Sequence, residues 1–300
     1  MKTKTLLLSL VCALLAIAQT AHAQLPVGSH YPAGAEGIKG ASLPPPGVYL
    51  RDYNFFYTAC DVDGFPFNAN VFVYVQAPRL IWMTDWTIFG ATYGMDVIVP
   101  FAYKDVSLGG PVPFGDDDQF GLSDIQLEPL LLSWHLKQFD VSAAYAVWVP
   151  SGCFSASTPQ KQLSSPGLGF WTHMFTLGGV WYPDEKKTWA LSALSRYEIN
   201  TEQDDTDITP GNMFTVDWGL SKTIGKGVDV GFIGYYQQLV TEDSGSGSSS
   251  DKSHVVGIGP EITGMIPKIN VIGSLRYVYE IDAKDRPKGQ LVTLTLTKRF

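Results

Sequence analysis

Charged and amide side chains occupy every second position in several segments of this 300-residue chain. Asp124, Gln126 and Glu128 alternate with Ile125 and Leu127. Successive side chains of a β-strand point to opposite faces, so this spacing would collect the three polar groups on one face. Groups gathered in this way can form ion pairs, line an aqueous path or act as general acids and bases.

A catalytic or metal site needs more than a polar face, and the sequence gives little support for one. No His-Cys or His-Glu spacing resembles a zinc site. No Gly-x-Ser-x-Gly motif, which would indicate a serine nucleophile, occurs in a strand-turn-helix context. The Gly-Ser-Gly sequence at Gly245 belongs to a Ser- and Gly-rich stretch, residues 244–250, that is typical of a flexible loop. We therefore predict no enzyme activity, no catalytic residue, no bound metal and no cofactor. The histidines beyond the N-terminal run are scattered, at His30, His135, His173 and His254.

The composition excludes further classes of protein. Charged residues make up 17% of the chain, compared with roughly 25% in typical soluble domains. The formal net charge is −8, so we do not expect nucleic acid to be a partner. Beyond the N-terminus, no apolar run approaches the roughly 18 residues that a transmembrane helix requires.

The N-terminus has the pattern of a secretory signal peptide. Lys2 and Lys4 precede an apolar run at residues 6–18, and small residues follow near the predicted cleavage site. We predict cleavage near Ala23, so that residues 1–23 are the signal peptide of an exported protein.

The remaining chain alternates as β-strands do. In the segment 213–221, Phe214, Val216 and Trp218 share one parity while polar or small residues take the other. Alternation of this kind, rich in Val, Thr and aromatic residues, is typical of strands. About twelve strands are predicted, near residues 50–59, 70–81, 88–100, 121–134, 139–149, 169–182, 189–200, 213–221, 228–239, 255–264, 269–279 and 292–296.

The connections between these segments alternate in length. Short turns and long external loops, in strict succession, are typical of an up-and-down barrel in the bacterial outer membrane. We therefore predict an all-β, transmembrane antiparallel barrel of about twelve strands over residues 48–300, with both of its ends on the periplasmic side. The short connections fall near 84–85, 135–138, 183–187, 224–227 and 265–268, and the longer ones near 61–68, 102–119, 150–168, 201–211, 241–253 and 281–288.

Aromatic residues agree with this topology. The chain ends in Phe300 on an alternating strand, which resembles the signal that the barrel-assembly machinery of Gram-negative bacteria reads. Tryptophan favours membrane interfaces, and five of the eight tryptophans lie close to predicted short turns. These five are Trp82, Trp86, Trp134, Trp181 and Trp189.

Two features fall at the external end of the predicted barrel. Cys60 and Cys153 are the cysteines that remain after signal cleavage, and a disulfide between them is possible, although the sequence does not show that they pair. Residues 116–118 are three consecutive aspartates, which we interpret as a solvated loop tip rather than a calcium site. A weaker alternative is that they bridge lipopolysaccharide through divalent ions.

Charges within the strands should face the lumen. An Arg or Lys at the lipid midplane costs roughly 2–4 kcal/mol, which exceeds the differences in strand propensity. The inward charges either brace the barrel through ion pairs or line a path, and Asp124–Glu128 would face Arg196 and Arg276 across a constriction. The lumen-lining candidates are Asp52, Asn54, Asp96, Asp124, Gln126, Glu128, Arg196, Glu198, Asp217, Asp229, Glu261 and Arg276.

A Gly- and Pro-rich segment, residues 24–47, precedes the first strand. The sequence leaves two interpretations open. The segment is either an extended periplasmic tail with polyproline geometry, or a plug that folds back into the lumen.

Several motifs resemble the outer-membrane family labelled "MetA-pathway of phenol degradation". The resemblance implies an outer-membrane β-barrel and, by inference, a channel for aromatic compounds, but it brings no catalytic or binding motif. It extends over nearly the whole chain beyond residue 33. The segments that carry it are Gly37–Asn54, Val97–Pro100, Gly121–Pro129, Val149–Gly152, Gly167–Trp171 and Val216–Lys222.

Together these features predict a passive outer-membrane channel for small hydrophobic or aromatic compounds. Its expected partners are those solutes, membrane lipid, lipopolysaccharide and the assembly machinery that recognises Phe300. The alternatives are a closed structural or surface-interaction barrel and, less favoured, an outer-membrane hydrolase.

Overall fold

Burial alternates along the strands, as the sequence pattern predicts. In the strand Phe139–Val149, every second side chain from Asp140 to Trp148 is more buried than its neighbours. The same period recurs in Met213–Ile224. The polar and small residues therefore collect on one face of the sheet. The computed structural model describes residues 28–62, 69–108, 115–225, 227–246 and 248–300.

The sheet closes on itself as an antiparallel barrel. The first strand pairs with the last, from Tyr49 opposite Arg299 to Val62 opposite Pro287. Two strands are each interrupted by a pair of residues, so the fourteen segments of the sheet form twelve transmembrane strands. The strands are β1 (Gly47–Val62), β2 (Ala69–Ile88), β3 (Ala91–Ile98, continuing as Phe101–Leu108), β4 (Gly115–Leu122, continuing as Ile125–His135), β5 (Phe139–Val149), β6 (Thr172–Trp181), β7 (Trp189–Asn200), β8 (Met213–Ile224), β9 (Val228–Leu239), β10 (His254–Ile266), β11 (Val271–Lys284) and β12 (Pro287–Arg299).

The interruptions in β3 and β4 lie beside each other. Pro100 has no backbone N–H to donate, so regular pairing stops there. Two hydrogen bonds continue the sheet across the break, from Val99 N to Pro78 O (3.1 Å) and from Ser123 N to Pro100 O (2.9 Å). The predicted fold class, a barrel of about twelve strands, is confirmed.

One predicted short turn is misplaced. The sequence indicated a turn at Thr84 and Asp85, but β2 continues to Ile88 and turns at Phe89 and Gly90. Both turn residues have positive φ, 52° and 77°, the conformation of a tight hairpin turn. A register shift between Met83 and Thr87 accommodates the polar pair inside the strand.

One predicted long loop is shorter than expected. Residues 101–108 and 115–122 are paired strand segments, where the sequence indicated a loop over 102–119. The three aspartates at 116–118 therefore lie on β4 rather than at a loop tip, and Asp117 accepts a hydrogen bond from Ser164. The loop after β5 is confirmed and contains a short helix, α1 (Pro159–Ser164), capped by Thr158.

The outer face of the barrel is apolar. Side chains such as Leu177 (62% exposed), Phe232 (62%) and Leu275 (51%) lie on it. Trp86 and Trp181, next to short turns, are also exposed. Among the residues that the structure describes, no helix is long and apolar enough to cross a membrane.

The lipid-facing assignment predicts a depth-dependent cost for an outward charge. Leu275→Arg, on the middle of β11, should lower the free energy of unfolding by about 2–4 kcal/mol. Ile281→Arg, on the outer part of the same strand, should cost about 0–1 kcal/mol because a long side chain can reach the interface. Denaturant titration in lipid vesicles measures both, and equal costs would contradict the assignment.

Candidate functional site

The lumen is filled by residues 29–43, here called the inner segment. Tyr31 (5% exposed) and Ala35 (6%) pack in one cluster with wall residues such as Phe55. Ala41 is fully buried against a second cluster. The segment has no regular secondary structure. Turn hydrogen bonds within it pair the backbone N–H groups of Ala35, Gly40 and Ser42, and its other N–H groups need other partners.

Wall carboxylates accept the backbone N–H groups of the inner segment. Tyr31 N donates to Glu198 Oε1 of β7 (3.1 Å), and Gly34 N donates to Asp217 Oδ1 of β8 (2.9 Å). Further along, the backbone N of residue 38 donates to Glu261 Oε2 of β10 (2.7 Å). Hydrogen bonds to charged acceptors are stronger than neutral ones, so these acids hold the segment's backbone in place.

Side chains of the inner segment bind further wall acids. Lys39 Nζ lies 2.8 Å from Asp229 Oδ2 of β9. Ser42 Oγ donates to Asp140 Oδ2 of β5 at 2.6 Å. The Tyr31 hydroxyl also donates to Asp217. The segment is therefore held along its whole length, and not at one end alone.

A buried histidine forms the outermost of these contacts. His30 Nε2 lies 2.9 Å from Asp124 Oδ2, and His30 Nδ1 lies 2.8 Å from Thr172 Oγ1. The Thr172 hydroxyl donates its single proton to Asn200 Oδ1 (2.6 Å). Thr172 must then accept from His30, because a hydroxyl has only one proton to give. The His30 ring stacks on Trp148, with their centroids 5.3 Å apart.

Two arginines of the barrel wall bind the inner segment. Arg276 of β11 donates to the carbonyl oxygens of Gly34 (3.1 Å) and Ala35. The Arg196 guanidinium of β7 lies over the ring of Tyr31, 3.8 Å from its centroid. Both arginines thus contact the segment itself, and it occupies the space where the sequence predicted a constriction.

Glu36 is the one acid of the inner segment and lies in a basic environment. Its carboxylate accepts from Tyr53 Oη (2.6 Å) and pairs with Arg51 and Arg79, each at 3.3 Å. Burial alone would raise the pKa of Glu36, but the surrounding guanidinium groups, Arg51 and Arg79 foremost, hold it below its usual value. Glu36 is therefore ionised at neutral pH and anchors the segment to β1 and β2.

Arg79 extends this cluster into β3 and β4. One of its terminal nitrogens lies 2.5 Å from Asp96 Oδ2 and 2.7 Å from Glu128 Oε2. Sequence reasoning did not select Glu36, Arg51 or Arg79. The rule that charges within strands face inward is a signal for Arg79, but on β1 it cannot choose between Arg51 and the adjacent Asp52.

Ten of the twelve lumen-lining candidates face the interior, and two do not. Asp52 and Asn54 were expected inside on the assumption that Tyr53 and Phe55 face lipid. The opposite holds, because Tyr53 binds Glu36 and Phe55 (5% exposed) packs in the core. Asp52 and Asn54 lie on the outer face, 3.0 Å apart, with Gln76 also bonded to Asp52.

The ten inward residues make contacts of several kinds. Asp96 and Glu128 pair with Arg79, while Gln126 is 3% exposed and lines a cavity beside the inner segment. The other seven contact the inner segment directly. These seven are Asp124, Arg196, Glu198, Asp217, Asp229, Glu261 and Arg276.

The two cysteines at the external end are both free thiols and exposed. The disulfide considered between Cys60 and Cys153 is therefore not formed in this structure. Among the described residues, no three His, Cys, Asp or Glu side chains come together in a group that could hold a metal ion.

A cavity of about 250 Å³ lies between the inner segment and one side of the wall. The inner segment contributes His30 and Ala35, strands β1 to β3 contribute apolar residues such as Phe55 and Ala102, and β4 contributes the polar Gln126 and Glu128. Pro166 and Leu168, from the loop after β5, also line it. The lumen therefore contains an apolar space in addition to its polar contacts.

Solved structures share this fold at low sequence identity. An outer membrane channel from Pseudomonas putida F1 has a TM-score of 0.74 and 14% identity, over 91% of this chain and all of that one. The translocator domain of the autotransporter NalP from Neisseria meningitidis has a TM-score of 0.51 and 9% identity, over 87% and 91% of the two chains. The β domain of the Bordetella autotransporter BrkA has a TM-score of 0.50 and 11% identity, over 86% and 100%.

Comparison of the sequence with family profiles assigns the chain to a family. No curated protein matches the chain significantly. The profile of one family matches residues 61–296, which is most of the chain and includes ten complete strands, the end of β1 and most of β12. The chain is thus a member of the family described as "Putative MetA-pathway of phenol degradation".

Proposed function

We propose that this protein is an outer-membrane channel for the passive uptake of small hydrophobic or aromatic compounds. The observation that carries the proposal is the inner segment. The lumen of the closed barrel is filled by a peptide held through side-chain and backbone contacts, and the cavity beside it is largely apolar. Displacement of this segment would open a path through the barrel, as in a gated channel.

The comparisons support the proposal. The structure from Pseudomonas putida F1 with the same fold is titled an outer membrane channel. The family's description refers to phenol degradation, which agrees with an aromatic solute. The structure's title supports transport and the family's description supports an aromatic solute, and neither identifies that solute.

The location follows from the same proposal. The apolar outer face would contact lipid in the outer membrane of a Gram-negative bacterium. Residues 1–23, which lie outside the described residues, would be the signal peptide, cleaved near Ala23. Phe300 would be read by the barrel-assembly machinery, and the exposed Asp116 and Asp118 would meet lipopolysaccharide.

An enzymatic role is disfavoured by the chemistry of the buried histidine. Thr172, His30 and Asp124 lie in hydrogen-bond sequence, as a hydroxyl nucleophile, base and orienting acid would. However, Thr172 is 0% exposed, and its proton is already donated to Asn200. His30 therefore has no proton to take from Thr172, and no substrate can reach the hydroxyl.

Deletion of the inner segment tests the gate. A chain that lacks residues 28–41, which include all but the last two residues of the inner segment, should insert as a heat-modifiable barrel and show a single-channel conductance several-fold above that of the full chain. The reason is that these residues fill the lumen. Uptake of labelled toluene by intact cells, whose lipopolysaccharide slows direct entry, should rise in parallel. Unchanged conductance and uptake would instead favour a closed structural barrel.

Neutralising Glu36 gives a finer test of the gate. Glu36→Gln removes a counter-charge from Arg51 and Arg79, and breaking a buried ion pair costs about 3–5 kcal/mol. Part of this cost falls on the plugged state alone, so channel openings in planar bilayers should become at least several-fold more frequent. Glu202→Gln, an exposed loop acid, is the matched control and should leave the opening frequency unchanged.

The ionised Glu36 also predicts how the frequency of channel openings depends on pH. The pKa of Glu36 is lowered in the folded protein, so its stabilising effect is complete above its ordinary pKa. This effect is lost as the pH falls through the lowered value. Openings of the wild-type channel should therefore increase in strong acid, and Glu36→Gln should show a smaller increase. An equal acid response in both proteins would show that Glu36 is not the anchor.

A further inference from the structure

The cavity beside the inner segment has the size of a binding site for one small ring. Its volume is about 250 Å³. An engineered apolar cavity of about 150 Å³ is sufficient to bind benzene. The space here accommodates one aromatic ring with a substituent, and it is enclosed by the barrel wall, the inner segment and the loop after β5.

The walls suit an aromatic ligand. Phe55 (5% exposed), Ala102 (1%) and Met174 (2%) are apolar lining residues whose own surface is almost fully buried. Trp148 and Tyr53 add aromatic faces. Aromatic rings pack against one another in offset or edge-on geometry, and sulfur contacts ring edges favourably.

One cation of the cavity has no close partner among the described residues. Arg79 and Arg196 both line the cavity, but each is paired with carboxylates. Lys104, on the outer half of β3, also lines it and forms no hydrogen bond or ion pair with any residue that the structure describes. A half-buried ammonium without a counter-ion favours an anionic ligand, because burial weakens its hydration.

One acid, Asp124, acts on Lys104 only through space, without a hydrogen bond between them. Its carboxylate is held by other groups, Oδ1 by the backbone N of Gly152 and Oδ2 by His30 and the backbone N of Leu168. The ammonium group of Lys104 is therefore available to a ligand in the cavity.

We propose that this cavity is a saturable binding site for a one-ring aromatic carboxylate, with the ring between Phe55 and Trp148 and the carboxylate at Lys104. The proposal rests on the proposed function, because it names a solute class for the same lumen. It assigns Lys104 as the residue that distinguishes an anionic aromatic compound from a neutral one of equal size.

Titration calorimetry on the full chain in detergent tests the site, with benzoate and its neutral near-isostere benzamide as probes. Benzoate should bind one-to-one, and Lys104→Met should weaken it at least about tenfold while benzamide changes by less than twofold. Lys252→Met, an exposed loop lysine, should change neither probe. Ala102→Phe, which fills the cavity, should abolish binding of both probes, with heat-modifiable migration as the check that each variant is folded.

The outcomes separate this site from the proposed function. If folded wild-type protein binds no benzoate, or Lys104→Met binds it as tightly, the site is wrong even where conductance and uptake show a channel. If benzoate binds as described but deletion of residues 28–41 opens no path, the site is supported and the channel is wrong.

Discussion

A carboxylate inside a membrane barrel must find a hydrogen-bond donor, and this requirement organises the lumen. Lipid disfavours charge on the outer face, and the acids predicted to line the lumen point inward, with the exception of Asp52. There, burial makes an unpartnered carboxylate costly. The inner segment has donors to offer, because it lacks regular secondary structure and its internal turns pair only some of its backbone N–H groups. Three of these N–H groups donate to the carboxylates of Glu198, Asp217 and Glu261, so that buried acceptors and backbone donors satisfy each other. The wall and the segment therefore depend on each other.

The barrel could be predicted from the sequence because lipid imposes a period of two on nearly every strand. The errors arise where that rule does not act. At Thr84, the sheet accommodates a polar pair through a register shift, which no local pattern indicates. On β1, both faces carry large aromatic residues, and only the contact between Tyr53 and Glu36 shows which face is inside. Asp52 and Asn54 were misplaced for this reason.

The lumen was predictable in its lining but not in its contents. The strand acids and arginines follow from alternation, whereas the inner segment has no period, and its Gly and Pro residues suit a tail as well as a plug. Several of its contacts join residues more than 150 positions apart, as Tyr31 and Glu198 show. Pairings of that kind depend on the closed barrel. The position of Lys104 beside an apolar cavity likewise appears only when the segment, β3 and the loop after β5 come together.

The inner segment also bears on the mechanics of the barrel. Its polar contacts reach ten of the twelve strands, and β3 and β12 are the two exceptions. The count includes β4, which is reached through Asp124 at the interruption of that strand. A peptide bonded to almost the whole circumference acts as an internal cross-brace and fixes the shape of the cross-section. Its departure would leave the wall free to flatten, so the unplugged state should differ from the plugged one in roundness and stiffness as well as in free space.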